Sequence, residues 1–363
     1  MFSPTLSTML FKTLFTTRTL RISAMLKSKY SLLFTGSALL LGLSSAQAAE
    51  YEWKFQASET SGEPSFKIKQ EWAEKITAMT DGRVEIEVMP INSVVGPTET
   101  LTAVSAGILQ GHMTDPSYFS GQDPAFGMLG NLVGAWQNPY DFLEYMKYGG
   151  GEELYNELVE PYGAHLISAA TFPLESVPST VPIESIADFE GLKIRAPQGM
   201  VYNIFERIGA TPVNLPGSEV YTGLEKGVID AADSTVLSNN DAMGLHAFAP
   251  YPLYPGFHSM PMIAVSINKD IWDGLPEELQ ATLEIAFDGM AYDAIARLKE
   301  QDIETLQRLQ EDPDVHPFDL PAEERRKFRA AAEQEWQEWA GENEMTQKIY
   351  DSATAFLRSR NLL

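Results

Sequence analysis

The stretch Gly191–Asp233, GLKIRAPQGMVYNIFERIGATPVNLPGSEVYTGLEKGVIDAAD, restricts this chain more than any other. It reads as strand–helix–strand–helix–strand. Leu192–Ala196 is a short apolar strand that Pro197 and Gly199 stop. A helix follows over Met200–Ile208, with Val201, Ile204, Phe205 and Ile208 on one face and Gly209 suited to its C′ position. A second strand, Thr211–Leu215, leads to Ser218 as the cap of a helix that Gly227 ends, and Val228–Ala232 is the third strand. Two such crossovers demand a parallel, right-handed unit. Open parallel sheets bind ligands beyond the carboxyl ends of their strands. Arg195 and Asp233 stand at two such ends and are the leading binding candidates.

The same alternation runs ahead of this stretch. Trp53–Ala57 is a strand, the loop Ser58–Pro64 follows, and an amphipathic helix covers Phe66–Met79. Val84–Met89 is the next strand, Thr98–Ala106 the next helix, and His112–Asp115 leads to a strand end at Ser117–Phe119. Asn138–Pro161 is helical around the break at Gly149–Gly151, and the apolar segment Ala164–Ala170 crosses to a second lobe. Met262–Ile267 is β-like and returns the chain to the first. Glu277–Gln310 reads as one long helix ended by Asp312-Pro313, long enough at 1.5 Å per residue (about 45–50 Å) to span both lobes. The tail 322–363 is helical, with Phe328, Ala332, Trp336 and Trp339 as its apolar face, either packed on its own chain or swapped in a homodimer. The expectation is an α/β, two-lobed fold of the periplasmic-binding type. Residues 49–171 and 261–300 make lobe I, and 172–260 and 301–363 make lobe II.

Residues 1–48 have the form of a secretory signal peptide. Lys12, Arg18, Arg21, Lys27 and Lys29 form a basic region, Ser31–Ser45 is apolar, and Ala46-Gln47-Ala48 is a small-residue cleavage site, with Met25 as an alternative start. The expected address is the periplasm. No cysteine occurs, so disulfides, thiolate metal sites, a cysteine nucleophile and a lipid anchor on cysteine are excluded. Loss of the segment would leave 21 of the 26 basic residues against all 50 acids, a net of −29. That balance disfavours nucleic acid and anionic membranes as partners. An anion is then bound only in a local positive pocket, which makes one well-placed arginine informative. No G-x-S-x-G, H-E-x-x-H or Walker motif is present, and the five histidines have no metal-ligand spacing.

GLKIRAP, then GATPVNLPGSEVYTGLEKGVIDAAD, then YPGFH closely resemble the solute-binding subunits of tripartite ATP-independent periplasmic (TRAP) transporters of the DctP type. The likeness covers nearly all of the chain after residue 48 and is nearest the branch that binds α-keto and hydroxy acids. It implies capture of a small organic anion in an interlobe cleft and delivery to integral membrane permease subunits driven by an ion gradient. It also implies that this chain is not an enzyme.

A guanidinium is a permanently charged fork that matches a carboxylate, and at a strand end it is otherwise a surface or ion-paired group. The resemblance places the family's carboxylate-binding arginine on Arg195 in GLKIRAP. In the keto-acid branch an acid followed by tryptophan helps hold a cation that bridges to the ligand. Asp233 keeps that carboxylate here, Ser234 replaces the indole, and Ser259 stands where a further acid would follow His258. Glu175 would make up the ligand set for Na⁺ or Ca²⁺, or else Asp233 and Glu175 meet a positively charged or hydroxyl-bearing ligand directly. Tyr118 is the expected first-lobe contact, with Phe172 and Phe257 as apolar walls and Phe119 in the core. Glu59, Thr60, Asn239 and Asn240 are further polar candidates, and His258 is expected in the core or hinge. The competing readings are the binding subunit of an ATP-driven importer, a sensor subunit and a secreted hydrolase.

Overall fold

The computed structural model describes residues 48–363, so the basic and apolar segment before Ala48 lies outside it. In chain order the elements are β1 (Tyr51–Ala57), α1 (Pro64–Met79), β2 (Val84–Met89), α2 (Thr100–Ser105), β3 (Gly111–Thr114), α3 (Pro124–Gly130), α4 (Pro139–Tyr148), α5 (Gly151–Val159) and β4 (Ala164–Thr171). Next come β5 (Lys193–Arg195), α6 (Met200–Arg207), β6 (Thr211–Val213), α7 (Val220–Glu225), β7 (Ala231–Ala232), α8 (Leu237–Ala242), β8 (Met262–Asn268) and α9 (Lys269–Asp273). The chain closes with α10 (Glu277–Glu311), α11 (Ala322–Ala340) and α12 (Glu344–Ser359).

Two sheets organise the molecule as two lobes. The larger has the order β2-β1-β3-β8-β4, parallel across β2, β1 and β3 and antiparallel at β8. The smaller has the order β6-β5-β7, all parallel, which is the arrangement that the strand–helix–strand pattern demands. Ala164–Ala170 is therefore not itself the crossing: it is an edge strand of the larger sheet, and the chain crosses after Thr171. The bridges Ser176 to Thr235 and Val177 to Leu253 tie the outgoing and returning segments to the second lobe. β7 is shorter than the expected Val228–Ala232, because only Ile194 and Arg195 of β5 have partners there.

The α6 face is as expected: Val201, Ile204 and Phe205 are buried, and Gly209 takes a φ of +93° after it. A Cβ at Gly209 would strike the Glu190 carboxylate as well as strain the backbone. Ser218 is not a helix cap; it sits inside a short 3₁₀ turn, and its hydroxyl meets Asn92 from the larger sheet's side at 3.3 Å.

The long helix α10 has 35 residues, about 52 Å at 1.5 Å per residue. It packs on β4 and α1 in one lobe and on α8 in the other. Leu283, Phe287, Met290, Ala294 and Leu298 form its buried stripe. The tail is two helices broken at Gly341, and both pack on their own chain. Assigning all of 301–363 to lobe II needs correction, since α11 packs on α6 but α12 packs on α3 and α5 beside the larger sheet. Trp336 is 1% exposed and donates its indole N–H to the Val133 carbonyl at 2.9 Å, so this face is covered without a second copy. Trp336→Ala should lower stability by about 3–5 kcal/mol in a denaturant titration, with the elution volume on size exclusion unchanged. A shift from dimer to monomer would show that the helix is held by a partner instead.

Candidate functional site

Strand carboxyl ends from both lobes converge on a cavity of about 90 Å³. From the larger sheet come Ser58, Glu59, Thr60 and Glu63 after β1 and Asp115 and Tyr118 after β3; from the smaller come Arg195 after β5, Gly217 and Ser218 after β6, and Asp233 and Ser234 after β7. Phe172 and Glu175, at the crossing between lobes, complete the lining together with Asn131 and Ile263.

Arg195 is 3% exposed. Its Nε donates to the Leu215 carbonyl at 2.9 Å and its Nη1 to the Asp233 carbonyl at 2.7 Å, with the Asp233 carboxylate 3.5 Å from Nη1. Nη2 donates to nothing among the described residues. The fork is thus fixed by two backbone carbonyls while one nitrogen is kept for a ligand. Buried charges persist only when paired and hydrogen-bonded, and Asp233 supplies the pairing.

Asp233 is also held from behind. The fully buried His258 places its Nε2 2.7 Å from Asp233 Oδ1, which assigns the proton to Nε2. Burial alone would raise Asp233, but the His258 bond and the charges of His258 and Arg195 outweigh it and hold the carboxyl below its usual range. Glu175 goes the other way: burial first, then the Asp233 carboxylate, push it well above the carboxylate range, so it is the protonated member of the pair. Glu175, Asp233 and His258 each offer a ligand atom within 4.8 Å of the others. The two carboxyls fit a hard cation that takes oxygen, and the imidazole is already committed to Asp233.

Several expected residues lie elsewhere. Phe257 does not line the cavity; it packs against Phe189, Phe328 and His258, behind Asp233. Ser259 is fully buried outside the lining; its hydroxyl accepts from Asn131 at 2.8 Å and bonds the Glu175 carboxyl, so it supports that carboxyl from behind the cavity wall. Asn239 reaches across the lobe junction to Ser65, and Asn239 and Asn240 otherwise bind Thr235 and the Ser176 carbonyl within the second lobe; neither lines the cavity. Tyr118 does line it, but from a 3₁₀ turn (Pro116–Phe119) and not from a strand end. Burial pushes its hydroxyl up to about 12, with Arg195 opposing. Phe119 is core, stacked on His112.

Glu63, Asp115 and His258 carry more of the site than expected. Burial raises Asp115 to about 7 against its two Ser117 hydrogen bonds. Burial, then the charge of Glu59, raises Glu63 to about 7. Both acids directly precede a proline at a helix start, Glu63-Pro64 and Asp115-Pro116, just beyond a strand end. That acid–proline pairing is the signal that could have found them.

The two lobes and a mostly buried, charged cavity between them define a solute receptor. Residues 55–343 match the family model "bacterial extracellular solute-binding protein, family 7" (DctP). A TRAP periplasmic solute-binding protein from Rhodobacter sphaeroides, solved in an apo open form, is 44% identical with a TM-score of 0.71, covering 86% of this chain and 99% of its own. One from Pseudoalteromonas atlantica, with bound sodium and pyruvate, is 26% identical with a TM-score of 0.76, covering 86% and 95%. The monocarboxylate 2-oxoacid-binding periplasmic protein of Nostoc is 27% identical over 252 residues, 67% of each chain. The chain belongs to this family of extracellular solute-binding proteins.

A carboxyl raised by folding contributes stability while it stays protonated, below its unfolded value of 4.5, and loses it as pH climbs through about 7. Glu63→Gln should therefore raise the stability of the unliganded chain at pH 8 by up to about 3 kcal/mol, and by nearly nothing at pH 4.5. Melting curves across that range check it; an equal effect at both ends would refute the assignment.

Proposed function

We propose that the chain captures a small organic acid between its lobes and presents the closed form to membrane permease subunits of a TRAP transporter. The observation that carries this is the buried Arg195 with its uncommitted Nη2 on the cavity wall. A carboxylate there gains charge-assisted hydrogen bonds of about 1.5–3 kcal/mol each. Tyr118, from the other lobe, supplies a hydroxyl to the same anion, so one ligand bridges both walls. Binding energy shifts the open–closed equilibrium toward closure, with Asn92–Ser218 and Ser65–Asn239 contacts joining the lobes in the closed state.

The moving bodies in this reading are 49–171 with 261–300, and 172–260 with α11. No helix of the described residues is long and apolar enough to cross a membrane. Cleavage near Ala48 and release into the periplasm complete the reading. The reading assigns the site to binding, which the match to a family of solute-binding proteins supports.

Na⁺ or Ca²⁺ at the Asp233–Glu175 pair would screen those carboxyls and add a Lewis-acid contact to the ligand's oxygen. Glu175 would give up its proton on cation binding, and Asp233 would stay oriented by His258.

Thermal-shift screening of residues 49–363 against keto, hydroxy and dicarboxylic acids, with and without Na⁺ or Ca²⁺, tests the reading. A true ligand at a hundredfold excess over its Kd adds about 2.7 kcal/mol. The shift should vanish in Arg195→Ala. In Tyr118→Phe, which keeps the fold, it should weaken by about 1 kcal/mol. No shift with any carboxylate would overturn it.

A further inference from the structure

The first turn of α1 is not completed within its own lobe. Its N-cap residue, Glu63, makes no side-chain cap, because its carboxyl turns back to the Thr60 N–H and hydroxyl at 2.7 and 3.0 Å. Pro64 has no N–H to satisfy, and the Lys67 N–H reaches the Glu63 carbonyl at 3.3 Å. The Ser65 N–H is one of the donors that a helix start leaves without an intrahelical acceptor.

Its acceptor comes from the other lobe. Asn239, on α8, accepts from the Ser65 N–H through Oδ1 at 3.4 Å and donates from Nδ2 to the Ser65 hydroxyl at 2.8 Å. Both residues are buried, so this reciprocal pair is sealed from water while the lobes are together. The side chain is held in that pose from its own side. Nδ2 also donates to the Thr235 hydroxyl at 3.1 Å, and the buried Asp302 of α10 accepts from the Ser238 N–H at 2.7 Å, which fixes the start of α8. Glu63 and Thr235, which flank the pair, line the cavity, whereas Asn239 and Ser65 do not. Separating the lobes strips both bonds and leaves the α1 terminus uncapped.

We propose that Asn239 is a positioning residue for closure: it caps α1 across the lobe junction, only when the lobes are together, and so weights the closed form without touching the solute. The proposal rests on the closure described above and names the residue that sets its equilibrium. Because the closed form is the one that encloses a solute, apparent affinity scales with the closed population.

The chain has no cysteine, so Gln70→Cys on α1 and Thr222→Cys on α7, both exposed, place one spin label on each lobe. Interlobe distances are then measured by pulsed electron spin resonance on residues 49–363, unliganded and with pyruvate, lactate or malonate, with and without Na⁺ or Ca²⁺. The expected result is a short-distance population whose ratio to the long-distance one falls about 3- to 10-fold in Asn239→Ala. Asn239→Asp, which keeps an acceptor for the Ser65 N–H, should restore the ratio. Ser65→Ala removes the hydroxyl half of the exchange; it should lower the ratio alone and add little on top of Asn239→Ala. A ratio unchanged in Asn239→Ala, whatever happens to the melting temperature, would confine Asn239 to packing within α8. That result would overturn the proposal and leave solute capture standing. A single long distance under every condition would overturn the closure reading as well.

Discussion

Burying Arg195 is the constraint on which the rest of the site depends. A guanidinium 3% exposed needs a counter-charge and acceptors for its donors, and all of them come from the ends of three adjacent strands. Leu215 follows β6, Asp233 follows β7, and Arg195 itself closes β5. The parallel order β6-β5-β7 is therefore what makes the charge tolerable. His258 extends the dependence to the returning segment, because it fixes the Asp233 carboxylate from the core side. Breaking any one of these contacts would leave a buried charge uncompensated, which is more damaging than losing an exposed pair.

The larger lobe answers with acids. Glu59, Glu63 and Asp115 project from strand ends opposite Arg195, and burial keeps two of them at about 7. The cavity is thus less negative at neutral pH than its carboxyl count suggests, which agrees with a receptor that must admit an anionic group despite a strongly acidic chain. Contacts at the rim, such as Asn92 to Ser218, are single hydrogen bonds between neutral side chains. They are weak enough to be made and broken with each ligand, whereas α10, packed on elements of both lobes, is not.

The elements with strong periodicity were legible from the residues alone. α10 was expected over Glu277–Gln310 and ends one residue later; α6 with Gly209 and β2 match as read. Arg195 and Asp233 were singled out because strand ends in a parallel sheet are where ligands bind, and both line the cavity. What failed did so for local reasons. Ser218 follows Pro216-Gly217, whose geometry set a 3₁₀ turn and turned the hydroxyl toward the other lobe. Phe257 is apolar and near the site in sequence, but only packing decides whether a ring faces a cavity or the core, and Phe328 claimed it. Glu63 and Asp115 were not singled out, because the acid–proline pair each makes marks a helix start and says nothing of burial in a cleft built from distant segments.

A crystal structure of residues 49–363 with the solute that gives the largest thermal shift measures the decisive contact. The geometry predicts a carboxylate within hydrogen-bonding distance of Arg195 Nη2, with Tyr118 and Arg195 touching the same molecule from opposite lobes. A solute seated away from Arg195, or held by one lobe alone, would contradict it.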